Sequence, residues 1–269
     1  MTEDHPSILI PRENRVNRAF AGVGAAIGLA VWFFLFSAPG GIASFVVSKS
    51  NPGLGTLVGF VGMLLAVPGV IWLAKSAWGP GWRRAFPLAP VGLGVLAWTV
   101  IGILALLSIE IAWIAALERT VGLPKMTDPR KVFGLLGVVL GAPITEEFLF
   151  RGYGLARIRE LGGDRRALFL TAVVFAALHG SGLKLPGAFA CGLFFGWIVL
   201  RTGSLWPALL GHFTINGGAF LLARFGSTTL PVHASWSWIL VLGGVGVLIL
   251  VLLFAPQLRA RISELPPGS

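Results

Sequence analysis

Ala142-Pro143-Ile144-Thr145-Glu146-Glu147-Phe148-Leu149-Phe150-Arg151-Gly152 sets three ionisable side chains inside a stretch otherwise apolar enough to cross a membrane. Charged groups are expensive at membrane depth and, where they occur, mark a buried working site. Read as a helix, the stretch makes Glu147 and Arg151 i and i+4 neighbours that can pair, and turns Glu146 about 100° away with no cation on its own helix. Two adjacent carboxylates thus receive different environments, one neutralised and one available for proton transfer, which is how paired carboxylates acquire separate roles. Taken alone, the three charges could equally cap a span at the interface. Pro143 lies one turn before the glutamates and predicts a local loosening of the helix there.

Working outward, the 269 residues are 55% hydrophobic and 12% charged. A spanning helix needs about 20 mostly apolar residues, and candidates recur near Ala19–Phe36, Leu54–Ala74, Leu88–Ala112, Val132–Arg151, Ala167–His179, Leu185–Leu200, Leu205–Ala223 and Ser235–Ala255. The expected fold class is all-α, a polytopic membrane bundle of about eight transmembrane helices, the fifth and sixth short. The first span follows Arg12, Arg15 and Arg18 and has no clear cleavage site, so it reads as a retained helix rather than a removed leader.

A net charge of +10 would suggest nucleic acid in a soluble chain. Here topology accounts for it: with the N-terminus inside, inner segments carry 14 Lys/Arg and outer segments 7. Both termini are therefore expected in the cytoplasm and no nucleic-acid partner is expected, although Arg119, Lys125, Arg130 and Lys131 would face outward against the rule. Trp78, Trp82, Trp206, Trp236 and Trp238 fall near span ends, as interfacial anchors do. The single cysteine, Cys191, excludes an internal disulfide and reads as a small packing residue.

Two more polar clusters lie at membrane depth. If the chain turns at Gly162-Gly163-Asp164, Glu146 and His179 come to similar depth on neighbouring helices, and Arg157, Arg159, Arg165 and Arg166 gather at the tip. Phe175 and His179 share a helix face, so Phe175 is expected to pack beside the imidazole. His212 and Asn216, also four apart, point the same way. Two such donors can hold an oxyanion, or serve as interhelical hydrogen-bonding glue. Gly180-Ser181-Gly182 reads as a turn between spans.

These residues resemble the CAAX-type prenyl endopeptidases and their bacterial relatives, the CPBP (CAAX protease and bacteriocin-processing) intramembrane proteases. The family pattern Glu-Glu-x-x-x-Arg, Phe-x-x-x-His and His-x-x-x-Asn/Asp is matched by Glu146-Glu147-Phe148-Leu149-Phe150-Arg151, by Phe175 with His179 and by His212 with Asn216. The resemblance covers Ala142 to Gly217 and implies hydrolysis of a peptide bond in a membrane-embedded or membrane-associated protein or peptide. It implies Glu146 as the base activating water, assisted by His179, with His212 and Asn216 stabilising the oxyanion and Glu147 and Arg151 holding the site. It leaves metal dependence open. A metal-free mechanism is the expectation, because the chain has no His-Glu-x-x-His helix and Arg151 stands close by; zinc on Glu146, His179 and His212 is the alternative.

On this reading the chain divides into a cytoplasmic segment 1–18, N-terminal transmembrane helices 19–130, a catalytic membrane core 131–223 and a last span with its tail 224–269. The Arg-, Ala- and Gly-rich composition is compatible with a high-GC bacterium, whose inner (plasma) membrane is the expected location. The competing readings are a non-catalytic membrane scaffold or bacteriocin self-immunity protein of the same fold and, behind it, a proton-relay transporter. A transporter would favour polar sites in both halves of the chain, whereas the clusters lie in the second half.

Overall fold

The structure is a computed structural model and describes residues 12–121, 136–179, 184–225, 241–249 and 251. Within them the chain is a bundle of helices: α1 (Arg12–Ser48), α2 (Pro52–Trp78), α3 (Leu93–Val121), α4 (Ala142–Glu146), α5 (Leu155–Leu178), α6 (Leu185–Thr202) and α7 (Trp206–Phe225), with a further helical segment at 241–249. The β-structure among the described residues is one isolated antiparallel bridge, Leu88 with Ser204. Four helical stretches, Phe20–Ser48, Gly53–Ala85, Leu93–Trp113 and Leu185–Thr202, are long and apolar enough to cross a membrane. Large apolar side chains such as Phe20, Phe34, Leu65 and Leu93 are exposed on the isolated chain, as lipid-facing residues are. The protein is an integral membrane helical bundle, and the expected count of eight spans is approximate.

The first expected span is too short. Helix α1 runs on past Phe36 and through Pro39 to Ser48, because its second half packs on α2 through small residues. A Cβ added at Gly40 would lie 2.7 Å from the Gly62 backbone, and Ser44 Oγ donates to the Gly55 carbonyl at 2.7 Å. Close backbone approach of this kind is how membrane helices associate where apolar burial offers no preference over lipid. The third helix also starts later than expected, at Leu93 rather than Leu88. The residues before it are held to the α6–α7 turn: Leu205 N–H donates to Pro87 O at 2.8 Å, Ser204 Oγ to Ala89 O at 2.7 Å and Trp206 Nε1 to Leu88 O at 3.1 Å.

The expected turn at Gly162-Gly163-Asp164 is present. Gly163 has φ 79° and ψ 174°, a left-handed-side conformation that L side chains rarely adopt, and it splits α5 in two. The chain reverses there, so that Phe150 and Phe175 meet edge to face at 5.4 Å. At the tip, Arg159 pairs with Asp164 at 2.6 Å, and Glu160 accepts from Trp78 Nε1 at 2.8 Å, Arg84 at 3.1 Å and Arg157 at 3.3 Å. Trp78 closes α2 and Trp206 opens α7. Trp236, Trp238, Gly180-Ser181-Gly182, the cations Lys125, Arg130 and Lys131 and most of the last expected span lie outside the described residues.

Candidate active site

Proline sets the local structure of the glutamate-bearing stretch. Pro143 has no N–H to give to the preceding turn, and the helix is irregular around it: Leu136–Gly141 is π-helical, Ala142–Glu146 is one α-turn, and Glu147–Gly154 is π-helical again. Such π segments in other proteins are frequent at functional sites. Thr145 Oγ1 donates to Met63 O at 2.6 Å, fixing this stretch to α2.

Glu147 is fully buried at 0% exposure and Arg151 nearly so at 2%. Arg151 Nη1 donates to Glu147 Oε1 at 2.9 Å, as the i, i+4 spacing predicts. The guanidinium lies over Phe175 at 4.2 Å and within 5.2 Å of the Phe195 ring centre, and reaches the Gly192 carbonyl at 3.5 Å. Aromatic faces replace part of the hydration that a buried cation loses. Gly192 can come this close because α6 is packed tightly on α5; a Cβ there would stand 2.9 Å from Ala172 Cα.

The same Glu147 Oε1 also takes His212 Nδ1 at 2.7 Å. Spacing along the sequence did not foresee this contact. A carboxylate only accepts, so Nδ1 carries the proton and Nε2 is turned to the other side. There it faces Glu146 Oε2 at 3.9 Å. His212 is held flat by Phe195, whose ring stacks on it at 5.3 Å. Glu146 is 8% exposed, and its Oε2 has no hydrogen-bond partner among the described residues. Glu147 Oε2 and Arg151 Nε are in the same condition.

His179 is placed differently from the expectation of contact at equal depth with Glu146. It caps the end of α5 and is exposed, with Nδ1 2.8 Å from its own helix's Phe175 carbonyl and its ring 4.5 Å from Phe175. The carbonyl fixes a proton on Nδ1, so in the neutral ring Nε2 is the acceptor. The imidazole that stands against Glu146 is His212, while His179 lies within electrostatic range of Glu146. Asn216 is half-buried one turn beyond His212 on α7. Among the described residues no three His, Cys, Asp or Glu side chains form a group that could hold a metal ion. Cys191 is buried in the core, as a packing residue would be.

Sequence reasoning passed over Thr145, Phe195 and Gly192, whose contacts are tertiary. It also passed over Glu110, which was legible as the one charge in the span Leu93–Trp113. Its carboxylate presses on the start of α6, 2.9 Å from where a Gly187 Cβ would be, within electrostatic range of Lys184 and His179.

The site thus defines a helical membrane protein with a buried Glu–Glu–Arg–His network carried on three packed elements. Residues 128–218, about a third of the chain, match the family model described as type II CAAX prenyl endopeptidase, Rce1-like, so this stretch is similar to that family. That family is a protease family, and the match takes in all three polar clusters. Neither a curated protein nor a solved structure matches the chain significantly.

Proposed function

We propose that the protein is an intramembrane endopeptidase that hydrolyses a peptide bond in a membrane-associated protein or peptide, with Glu146 as the general base. One observation carries this reading: the buried Glu146 Oε2, without a hydrogen-bond partner among the described residues, faces a histidine whose opposite nitrogen is fixed by the Arg151-bound Glu147. A base needs a free oxygen beside an oriented polar partner, and a second carboxylate held by two cationic or donor groups supplies the orientation.

In this mechanism Glu146 takes a proton from water as the water oxygen attacks the scissile carbonyl carbon. The carbonyl π electrons move onto oxygen. Nδ1–H of His212 is committed to Glu147, so His212 donates to that oxyanion from Nε2–H when both ring nitrogens carry protons. Asn216, on the same face of α7, is the second donor. Collapse of the tetrahedral species breaks the C–N bond, and the proton on Glu146 passes to the leaving amine. His179, with Nε2 free to accept, assists this proton transfer from the edge of the site. No step of this reading runs through a metal. The location we infer is a bacterial inner membrane with both termini cytoplasmic, from the distribution of Lys and Arg.

The test compares the termini of membrane proteins, by mass spectrometry, in cells producing the wild type or Glu146→Ala at matched levels. New termini confined to the wild type support proteolysis and identify the substrate. Identical termini, with both proteins folded and purified wild type inert on a membrane-peptide library, would favour a non-catalytic scaffold.

A further inference from the structure

One end of the bundle is strongly basic, and its cations are not all satisfied. Arg84 and Arg157 share Glu160, and Arg159 has Asp164. Lys75 and Arg83 have no acidic partner among the described residues, yet both are drawn onto one ring: Lys75 Nζ lies 5.3 Å and the Arg83 guanidinium carbon 5.4 Å from the centre of Trp82. Two exposed cations are thus held no more than roughly 11 Å apart on a half-buried indole. Like charges so arranged repel, and an anion between them removes the repulsion.

The surroundings favour a lipid over a free anion. Along α2, Val61, Leu65 and Trp72 are exposed on one side and lead toward Lys75, with Trp72 57% exposed. An acyl chain lying along that stripe brings its headgroup to the cations at the helix end. Tryptophans collect at span ends near the interface, and Trp82 lies just beyond the end of α2. Its position is fixed from below, since it meets Phe86 at 6.0 Å and Phe86 stacks on Phe148 at 5.3 Å. Phe148 directly follows Glu147, so the aromatic support of the two cations rests on the glutamate-bearing stretch.

We propose that Lys75, Trp82 and Arg83 form a binding site for the phosphate of an anionic phospholipid, with its acyl chain along the Val61–Leu65–Trp72 stripe. The site is separate from the polar core and does not depend on the protease reading. Basic residues at a membrane surface contribute about 1 kcal/mol each toward anionic lipid, so Lys75→Gln with Arg83→Gln should weaken retention by roughly 30-fold.

The experiment uses the full-length protein in mild detergent. Native mass spectrometry counts retained phosphatidylglycerol against phosphatidylcholine, and thermal melting is followed with each lipid added. The wild type should retain phosphatidylglycerol selectively and melt higher with it. The double variant should lose both effects while matching the wild-type melting temperature in phosphatidylcholine; each single variant stands in for it should the pair fail to fold. Arg159→Gln, which removes a paired cation at the same end, should retain the lipid. Equal loss in Arg159→Gln would show a diffuse charge effect and overturn the site. Displacement of the lipid by millimolar inorganic phosphate would overturn the lipid assignment. Unchanged retention in the folded double variant would overturn both.

Discussion

The α1–α2 hairpin and the α4–α7 core are built from opposite materials. The hairpin holds together by the absence of side chains: Gly40 faces Gly62, and Ser44 closes on Gly55. The core holds together around charges, with Glu147, Arg151 and His212 all nearly inaccessible and sharing one carboxylate oxygen. Burial follows the same division, since α1 has 17% of its most apolar window buried and α6 44%. In lipid, apolar side chains gain nothing by leaving the surface, so the hairpin can be apolar outside and small-residue-packed inside. Ionised groups must be enclosed and mutually satisfied, and this draws three elements into one site. The comparison teaches that apolar character places helices in the membrane, while charge decides which of them must touch.

The widest separation of the two regions is expected from Glu146→Gln. It keeps the shape of the side chain and should lower cleavage by about 10²–10⁴-fold, the range of general-base catalysis, with melting temperature nearly unchanged. Activity close to wild type would move the base to another residue. Arg151→Ala acts on stability instead. It strands a buried carboxylate and should cost about 3–5 kcal/mol, read as lost abundance and early thermal unfolding; a variant of normal stability would mean that Glu147 does not need its cation.

Smaller effects sharpen the boundary. Asn216→Ala should reduce kcat by about 10²-fold with KM little changed, as for loss of one oxyanion donor; equal damage to both constants would assign Asn216 to packing. In the hairpin, Gly62→Ala forces a methyl against the Gly40 backbone and should destabilise by about 1–3 kcal/mol while leaving kcat of the folded fraction intact. A fall in kcat there would show the two regions to be coupled. The least change is expected from Ser204→Ala, which removes the hydrogen bond to Ala89 O and the longer one accepted from Trp206 N–H and should lower stability by about 0.5–1.5 kcal/mol.

The candidate site was largely legible because its spacings are helical. Glu147 with Arg151 and Phe175 with His179 each sit four apart, and the helix turns that separation into contact. Glu110 was legible too, as a lone charge in an apolar span. What spacing does not carry is which side chain meets which across the bundle. The reading that brought Glu146 to His179 considered depth alone; rotation about the helix axes turns His212 to Glu146 instead, and leaves His179 exposed at the end of α5.

Sequence by itself determined that this chain lives in a membrane as a helical bundle, that a turn is available at Gly162-Gly163-Asp164, and that Glu147 and Arg151 can pair. These follow from apolar length, from a residue free to adopt positive φ and from helical periodicity, all properties of contiguous residues. Only the tertiary structure decided that Glu147 also holds His212, that Phe195 and Phe175 enclose the network, that Gly192 offers its carbonyl to Arg151, and that Lys75 and Arg83 converge on Trp82. Those contacts depend on helix rotation and close approach, which small residues and shared charges fix only once the helices have packed.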